Sequence, residues 1–97
     1  MRFIEKPSES DFVRDKFSRM PDDIYLLHIM HNIGAIDSER ALPVEEIARW
    51  ASMEKQRVEE NLNKLVEKGY ATLRVDSEVK RYFVTIDGIR KVLSIYS

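Results

Sequence analysis

The order of patterns between residues 44 and 93 constrains the fold more than any other feature of the sequence. Residues 44–51 and 54–68 each carry apolar side chains at the spacing of one helix face, with a short break between them. Residues 70–75 and 80–86 have the composition of β-strands and predict a hairpin, whose register stays open because its turn lacks glycine. Two closely spaced helices followed by a hairpin are typical of a helix-turn-helix with a two-stranded wing.

Three further helices are predicted around this core, at about residues 9–19, 22–33 and 88–96. Pro21 and the two aspartates after it favour the start of the second helix, and Gly34 favours its end. Because this helix is apolar on nearly all sides, we expect it in the centre of the core or under a partner subunit. Residues 35–42 predict a linker, and Ser52 is the predicted turn residue and N-cap before the next helix.

These patterns together predict an α+β fold, a winged helix-turn-helix with a helical core, a C-terminal β-hairpin wing and a short last helix. A length of 97 residues suits one domain of ordinary size. Residues 1–20 are predicted to form an N-terminal arm with a short helix, and residues 21–97 the winged helix-turn-helix domain.

Composition and charge narrow the classes of function. The sequence has no apolar run of about 18 residues and no signal-peptide pattern, so we expect no membrane segment. The absence of cysteine excludes disulfides and thiolate metal sites and fits a cytoplasmic protein. A net charge of −1 is not that of a polycation that coats nucleic acid. The charge is uneven, because residues 21–53 carry two basic and six acidic side chains, whereas residues 70–97 carry five basic and three acidic ones.

Two short motifs carry a family resemblance. LVEKGY at 65–70 has a leucine, three residues, a glycine and an apolar residue, and VTIDG at 84–88 has an apolar residue, a threonine, two residues and a glycine. In this order and spacing, residues 22–93 resemble the winged helix-turn-helix superfamily, in particular the MarR-type transcriptional regulators and their archaeal relatives. The resemblance implies a small regulator that binds duplex DNA as a homodimer. It also implies that helix 54–68 enters the major groove while the wing lies along the DNA backbone.

The side chains that would meet DNA lie on the exposed side of helix 54–68 and on the wing. Counting 100° per residue from Leu62, at the centre of the buried side, identifies the exposed side. Arg57 could donate two hydrogen bonds to a guanine edge and Gln56 could pair with adenine, whereas the lysines suit phosphates. We predict DNA contact by eight residues: Lys55, Gln56, Arg57, Glu60, Lys64, Arg74, Lys80 and Arg81.

A different interpretation of the same charges stays open. Arg57 with Glu60, and Glu60 with Lys64, are spaced to form ion pairs along a solvated helix. The Glu60 carboxylate would repel phosphates unless it accepts a hydrogen bond from a cytosine amine. Winged helices also serve as protein-interaction modules. Trp50 points away from the buried stripe of its helix and is predicted either to pack on the N-terminal helix or to anchor a partner protein.

Other residues that could carry chemistry predict neither a metal site nor an enzyme. His28 and His31 have a spacing that can hold a metal ion, but no cysteine or acidic residue one turn away completes a ligand set. We expect them to pack beside Ile24 and Leu27; at a dimer interface they would instead make assembly depend on pH. The sequence shows no nucleophile–base pair, no glycine-rich phosphate loop and no carboxylate pair with catalytic spacing, so we expect no enzyme activity and no cofactor.

Overall fold

The computed structural model describes residues 20–95, which form four helices and a three-stranded antiparallel sheet. In chain order these elements are α1 (Asp22–Asn32), β1 (Leu42–Pro43), α2 (Val44–Ala51), α3 (Lys55–Glu67), β2 (Ala71–Asp76), β3 (Val79–Val84) and α4 (Ile86–Ile95). The sheet order is β1-β3-β2, and β2 and β3 are the wing. The predicted α+β winged helix-turn-helix is confirmed. The helix predicted at residues 9–19 lies outside the described residues, and so does almost all of the predicted arm.

Helix α1 lies at the centre of the core. It begins after Pro21 with two aspartates in its first turn, where carboxylates favour the positive end of the helix dipole. Its end is followed by Gly34 at φ +86°, a left-handed conformation that suits glycine. Leu26, Leu27 and Met30 are completely buried, and α1 contacts each of the other three helices. This arrangement confirms the central position that its apolar composition predicted.

The turn between α2 and α3 differs from the prediction in the role of Ser52. Ser52 adopts a left-handed φ of 54° and is the C-cap of α2, where its amide donates to the carbonyl oxygens of Ala48 and Arg49. The N-cap of α3 is Glu54, which makes no capping hydrogen bond through its side chain. Ser52 is therefore the turn residue, but it is not the N-cap, because its backbone is already committed to closing the preceding helix.

The sheet settles the register of the wing and adds a strand. Strands β2 and β3 pair from Ala71 with Val84 to Asp76 with Val79, so the turn contains only Ser77 and Glu78. These two residues have φ of 51° and 66°, the signs required by a type I′ turn. The strands therefore reach closer to the turn than residues 70–75 and 80–86 predicted. Within the predicted linker, residues 38–40 form a 3₁₀ turn and Leu42 begins β1, a strand of two residues that is too short to leave a sequence pattern.

Gly69, Tyr70, Thr85 and Gly88 form the junction between the end of α3 and the start of α4. The Thr85 hydroxyl donates to the Gly69 carbonyl oxygen at 2.6 Å and accepts from the Gly88 amide at 3.0 Å, while the Thr85 amide donates to the Tyr70 carbonyl oxygen at 3.0 Å. A Cβ on Gly88 would lie 2.6 Å from Val84 Cγ1 and closer still to the Tyr70 carbonyl oxygen. The two sequence motifs thus meet in space. Helix α4 begins at Ile86 rather than at the predicted Gly88, because Thr85 caps it.

In the described part of the chain, every helix is too short or too polar to cross a membrane.

Candidate nucleic-acid interface

The exposed side of α3 is the first component of the candidate interface. Val58, Leu62 and Leu65 are completely buried, so the opposite side of the helix faces away from the core. That side carries the exposed side chains of Gln56, Glu60, Lys64 and Glu67, and the exposed Asn63 lies at its edge. The predicted orientation of the helix agrees with this arrangement. Asn63 was not among the predicted contacts, because it follows Leu62 directly and lies only about 100° around the helix from it.

Arg57, the predicted guanine contact, is held by a carboxylate from α1. Its Nε and Nη2 atoms both donate to Oδ2 of Asp22, at 2.9 and 2.5 Å. The two side chains are 55% and 45% exposed, so the pair lies at the surface. The partner of Arg57 is thus a residue of another helix rather than Glu60 of its own helix. Because water screens exposed ion pairs, this contact contributes at most about 1 kcal/mol to stability.

Two lysines near the ends of α3 are paired in the same way. Nζ of Lys55 lies 2.9 Å from Oε2 of Glu45, in the first turn of α2. Their hydrogen bond raises the pKa of Lys55 and lowers the pKa of Glu45. Nζ of Lys68 donates to Oδ2 of Asp23 at 2.6 Å. Burial alone would raise the pKa of Asp23, but the hydrogen bond and charge of Lys68, with the hydrogen bond from the Ile24 amide, lower it.

The acidic first turns of α1 and α2 therefore neutralise much of the positive charge of α3. Four cations lie on α3 or at its C-cap, and three of them are paired with aspartate or glutamate from these two turns: Lys55, Arg57 and Lys68. Lys64 is the fourth, and it forms no ion pair with any residue between 20 and 95. The excess acidic charge of residues 21–53 is thus placed against the helix that would enter the major groove.

The wing is the second component, and its two arginines share one carboxylate. Arg74 and Arg81 lie opposite each other on β2 and β3. Nη1 of Arg74 and Nε of Arg81 lie 3.4 and 3.8 Å from Oδ2 of Asp76. Nε of Arg74 also donates to the Ser38 carbonyl oxygen at 2.7 Å, whereas Nε of Arg81 lacks a hydrogen bond to any residue that the structure describes. Lys80, the third predicted wing contact, is exposed.

A groove of about 520 Å³ lies between the exposed side of α3 and the wing. Glu59 and Asn63 line it from α3, and Lys80 lines it from the wing. Tyr82 also lines the groove and is only 5% exposed; burial, and secondarily the charge of Glu59, raises the pKa of its hydroxyl. Neither Glu59 nor Tyr82 was predicted as a site residue. The two predicted DNA-binding elements therefore flank one concave surface, whose charge is mixed.

Of the eight predicted DNA contacts, Lys55 and Lys80 line this groove and the other six lie outside its lining. The predicted residues outside α3 and the wing lie apart from it as well. Trp50 is 59% exposed on α2, which agrees with a side chain pointing away from the buried stripe. Its predicted packing on the N-terminal helix concerns residues outside the described range. His28 is buried in the core and His31 is half-buried. Among residues 20–95, no group of three or more histidine or acidic side chains is arranged to hold a metal ion.

Solved structures with a similar fold include DNA-binding regulators. The Staphylococcus aureus MepR–DNA complex aligns with 91% of this chain at a TM-score of 0.65 and 19% sequence identity. A MarR family transcriptional regulator from Silicibacter pomeroyi aligns with 91% at 0.64 and 20% identity. TubR from Bacillus megaterium pBM400 aligns with 89% at 0.69 and 15% identity. No protein-family model and no curated protein matches the sequence.

The similar structures differ in how much of their own length this chain represents. It covers 62% of one MepR chain, 70% of the MepR chain solved with DNA and 56% of the Silicibacter regulator. It covers 97% of TubR. At these sequence identities the similarity establishes the fold and nothing narrower: the chain has the winged helix-turn-helix fold that MarR-family regulators share.

Proposed function

We propose that this protein binds duplex DNA through α3 and the wing and acts as a small transcriptional regulator. The observation that carries the proposal is the groove between these two elements, which are the parts of a winged helix that meet the major groove and the backbone. The MepR–DNA complex, a structure of the same fold, supports the same assignment by analogy.

In this proposal the residues of α3 divide into readers of bases and contacts to phosphate. Gln56 and Arg57 lie in the first turn of the helix, the part that reaches base edges in helix-turn-helix proteins. Lys64 is available for a phosphate. Glu60 accepts from a cytosine amine, because a carboxylate in this position would otherwise repel the DNA. Lys55 binds phosphate by exchanging its contact with Glu45.

The wing contributes the other cations. Arg81 is the arginine that meets a phosphate or enters the minor groove, because it lies on β3 near the turn of the wing and its side chain is 34% exposed. Arg74 and Lys80 contact the backbone on either side of it. If each subunit of a dimer neutralises three or four phosphates, log K against log[salt] has a slope of about −5 to −7. This moderate value fits a chain with a net charge of −1.

We also propose that the protein acts as a homodimer. A mainly apolar groove of about 850 Å³ lies between the start of α1 and the end of α4, and Ile24, Tyr70 and Ile95 line it. Ile86, on α4, is 69% exposed. Apolar surface of this kind is often covered by a second subunit. Sedimentation equilibrium of the wild-type protein tests this part of the proposal, and a monomer at micromolar concentration would contradict it.

Fluorescence anisotropy with a mixed-sequence duplex, measured at several salt concentrations, tests DNA binding. We expect micromolar or tighter binding at about 50 mM salt. In Arg57→Ala/Arg81→Ala the affinity should fall and the salt slope should become shallower by about 1 per subunit, because Arg81 meets a phosphate whereas Arg57 reads a base. Arg90→Ala is the matched control, because it removes an exposed arginine from α4, which lies outside α3 and the wing. Absence of binding at this salt concentration would overturn the proposal.

A protein-interaction module is the second candidate, and one observation favours it: a tryptophan that is 59% exposed on α2. Large aromatic side chains are enriched among the residues that dominate protein interfaces. In this case Trp50→Ala would abolish capture of a partner, whereas Arg57→Ala and Arg81→Ala would leave it unchanged. Under the DNA-binding proposal, Arg57→Ala and Arg81→Ala would weaken duplex binding, whereas Trp50→Ala would leave duplex binding unchanged.

A further inference from the structure

We propose that Asp22 is a positioning residue that holds the Arg57 guanidinium ready to read a guanine. The inference rests on the proposed DNA-binding function and adds a specificity-determining residue to it. Asp22 belongs to α1 and lies outside the helix-turn-helix. It is acidic, so neither charge nor position along the sequence marks it as part of a DNA interface.

The geometry of the pair leaves the correct edge of the guanidinium available. Nε and one N–H of Nη2 donate to the same oxygen of Asp22. A guanidinium has five N–H donors in a planar fork, so both N–H groups of Nη1 and the second N–H of Nη2 are left over. One N–H of Nη1 and the second N–H of Nη2 lie parallel on the outer edge of the fork. Two parallel donors on one edge match O6 and N7 of guanine, the acceptors that guanine presents in the major groove.

The carboxylate that holds Arg57 is itself on a rigid support. Asp22 is the first residue of α1, and its neighbour Asp23 is only 3% exposed. Asp23 accepts from Lys68 at 2.6 Å and from the Ile24 amide at 2.9 Å. The start of α1 is therefore attached to the end of α3, while Asp22 reaches back to the first turn of the same helix. Asp22 has little freedom to follow Arg57 if the arginine moves.

The Asp22–Arg57 contact contributes little to the stability of the fold. Both side chains are about half exposed, and ion pairs of this kind contribute little to folding. Its larger effect is on the conformational freedom of Arg57, a long side chain that must become ordered when it binds a base. Holding the side chain in one geometry before binding removes part of that entropic cost, and the gain applies only to the base whose acceptors match the fork.

Measurements of affinity and of specificity distinguish a positioning role for Asp22 from simple repulsion of DNA by its carboxylate. A carboxylate near DNA repels phosphates, so its removal raises the affinity for every sequence. A positioning carboxylate also improves the ratio between the preferred duplex and one with the guanine replaced. We therefore expect Asp22→Ala to bind non-specific duplex at least as well as the wild type, but to lose discrimination at one base pair per half-site by roughly three- to tenfold.

The experiment selects preferred duplexes from a randomised library and then measures the affinity ratio between the selected duplex and its single-guanine variant. Wild type, Arg57→Lys, Asp22→Ala and the double variant form a cycle. Arg57→Lys keeps the charge but lacks the fork, so it should lose the guanine preference, and Asp22→Ala should then change the ratio no further. Asp87→Ala is the matched control, because Asp87 also lies in the first turn of a helix and is paired with an arginine.

The outcomes distinguish this inference from the function it rests on. A wild-type protein that binds no duplex would contradict the proposed function itself. A wild type that binds, with an Asp22→Ala variant that gains affinity for all sequences at an unchanged ratio, would overturn the inference and leave the function intact. The same conclusion would follow if Asp87→Ala lowered the ratio as much as Asp22→Ala. Thermal unfolding of each variant verifies that all of them are folded at the temperature of the assay.

Discussion

The junction and the exposed side of α3 are both marked in the sequence, but they are held in place by different physical means. At the junction, hydrogen bonds from Thr85 join two backbone segments, and Gly88 leaves no room for a Cβ. On α3, the cations are joined to carboxylates of neighbouring helices by contacts that are mostly half exposed. The junction therefore tolerates little change, whereas the charged groups of the interface stay accessible to a ligand.

The substitution that tests this contrast most severely is Gly88→Ala. The added methyl group would overlap the Tyr70 carbonyl oxygen and crowd the Val84 side chain. The Tyr70 carbonyl cannot move away without disturbing its hydrogen bond from the Thr85 amide. We expect the free energy of unfolding to fall by about 3 kcal/mol or more. Urea denaturation followed by circular dichroism measures the change.

Gly34→Ala is the matched control for this substitution. Gly34 has a positive φ of 86° but no atom within 4 Å of the position of an added Cβ. Only the conformational cost applies there, which is about 1 kcal/mol. Equal losses at the two positions would mean that the close packing of the junction has no special importance.

The two neighbouring aspartates of α1 offer a second comparison, between a buried ion pair and an exposed one. Asp23 is buried and paired with Lys68, and we expect Asp23→Asn to lower the free energy of unfolding at neutral pH by about 2 kcal/mol. The pKa of Asp23 is lowered in the folded protein, so its contribution is present above the ordinary value of 3.8 and is lost as pH falls below it. Asp22→Asn, at an exposed position, should cost less than about 1 kcal/mol.

Stability curves of the wild type and the Asp23→Asn variant between about pH 7 and pH 2 test the assignment. We expect the difference between them to be constant at neutral pH and to shrink below pH 3.8. A difference that persists to the lowest pH would show that the charge of Asp23 contributes nothing, and that the loss in the variant comes from altered packing.

The sequence predicted the parts of the fold that repeat a pattern. Helix α2 has the predicted limits of residues 44–51, because its apolar spacing and Pro43 act within one short segment. Strand β1 was missed because two residues contain no period, and it exists only because Leu42 pairs with Tyr82 forty residues later. The role of Ser52 was wrong for a related reason: a serine suits both a helix start and a left-handed turn, and the packing of α2 on α3 decides between them.

The candidate site was less predictable than the fold. The exposed side of α3 follows from the helical period, so the orientation of Gln56 and Lys64 could be inferred. The partner of Arg57 could not, because Asp22 precedes it by 35 residues and reaches it only through the packing of α1 on α3. The spacing within α3 suggested Glu60 instead. Contacts between residues of different elements leave no pattern in a short stretch of sequence. Glu59 and Tyr82, which both line the groove, are a further example.

The smallest predicted effect concerns the turn of the wing, where a substitution should increase the stability of the protein. Ser77 and Glu78 both have a positive φ, which disfavours residues with a Cβ by roughly 1–2 kcal/mol each. Asparagine followed by glycine is the preferred pair for this turn type. Glycine loses some of the gain through the greater freedom of the unfolded chain, so we expect Ser77→Asn/Glu78→Gly to raise the free energy of unfolding by about 0.5 kcal/mol.

Ser77→Ala is the control for the turn variant and should give no gain in stability. Because the variant also removes a carboxylate from the wing, duplex affinity should rise slightly at low salt. A loss of stability would instead mean that the side chains of the turn make contacts that compensate for its backbone, and that the wing is as tightly specified as the junction.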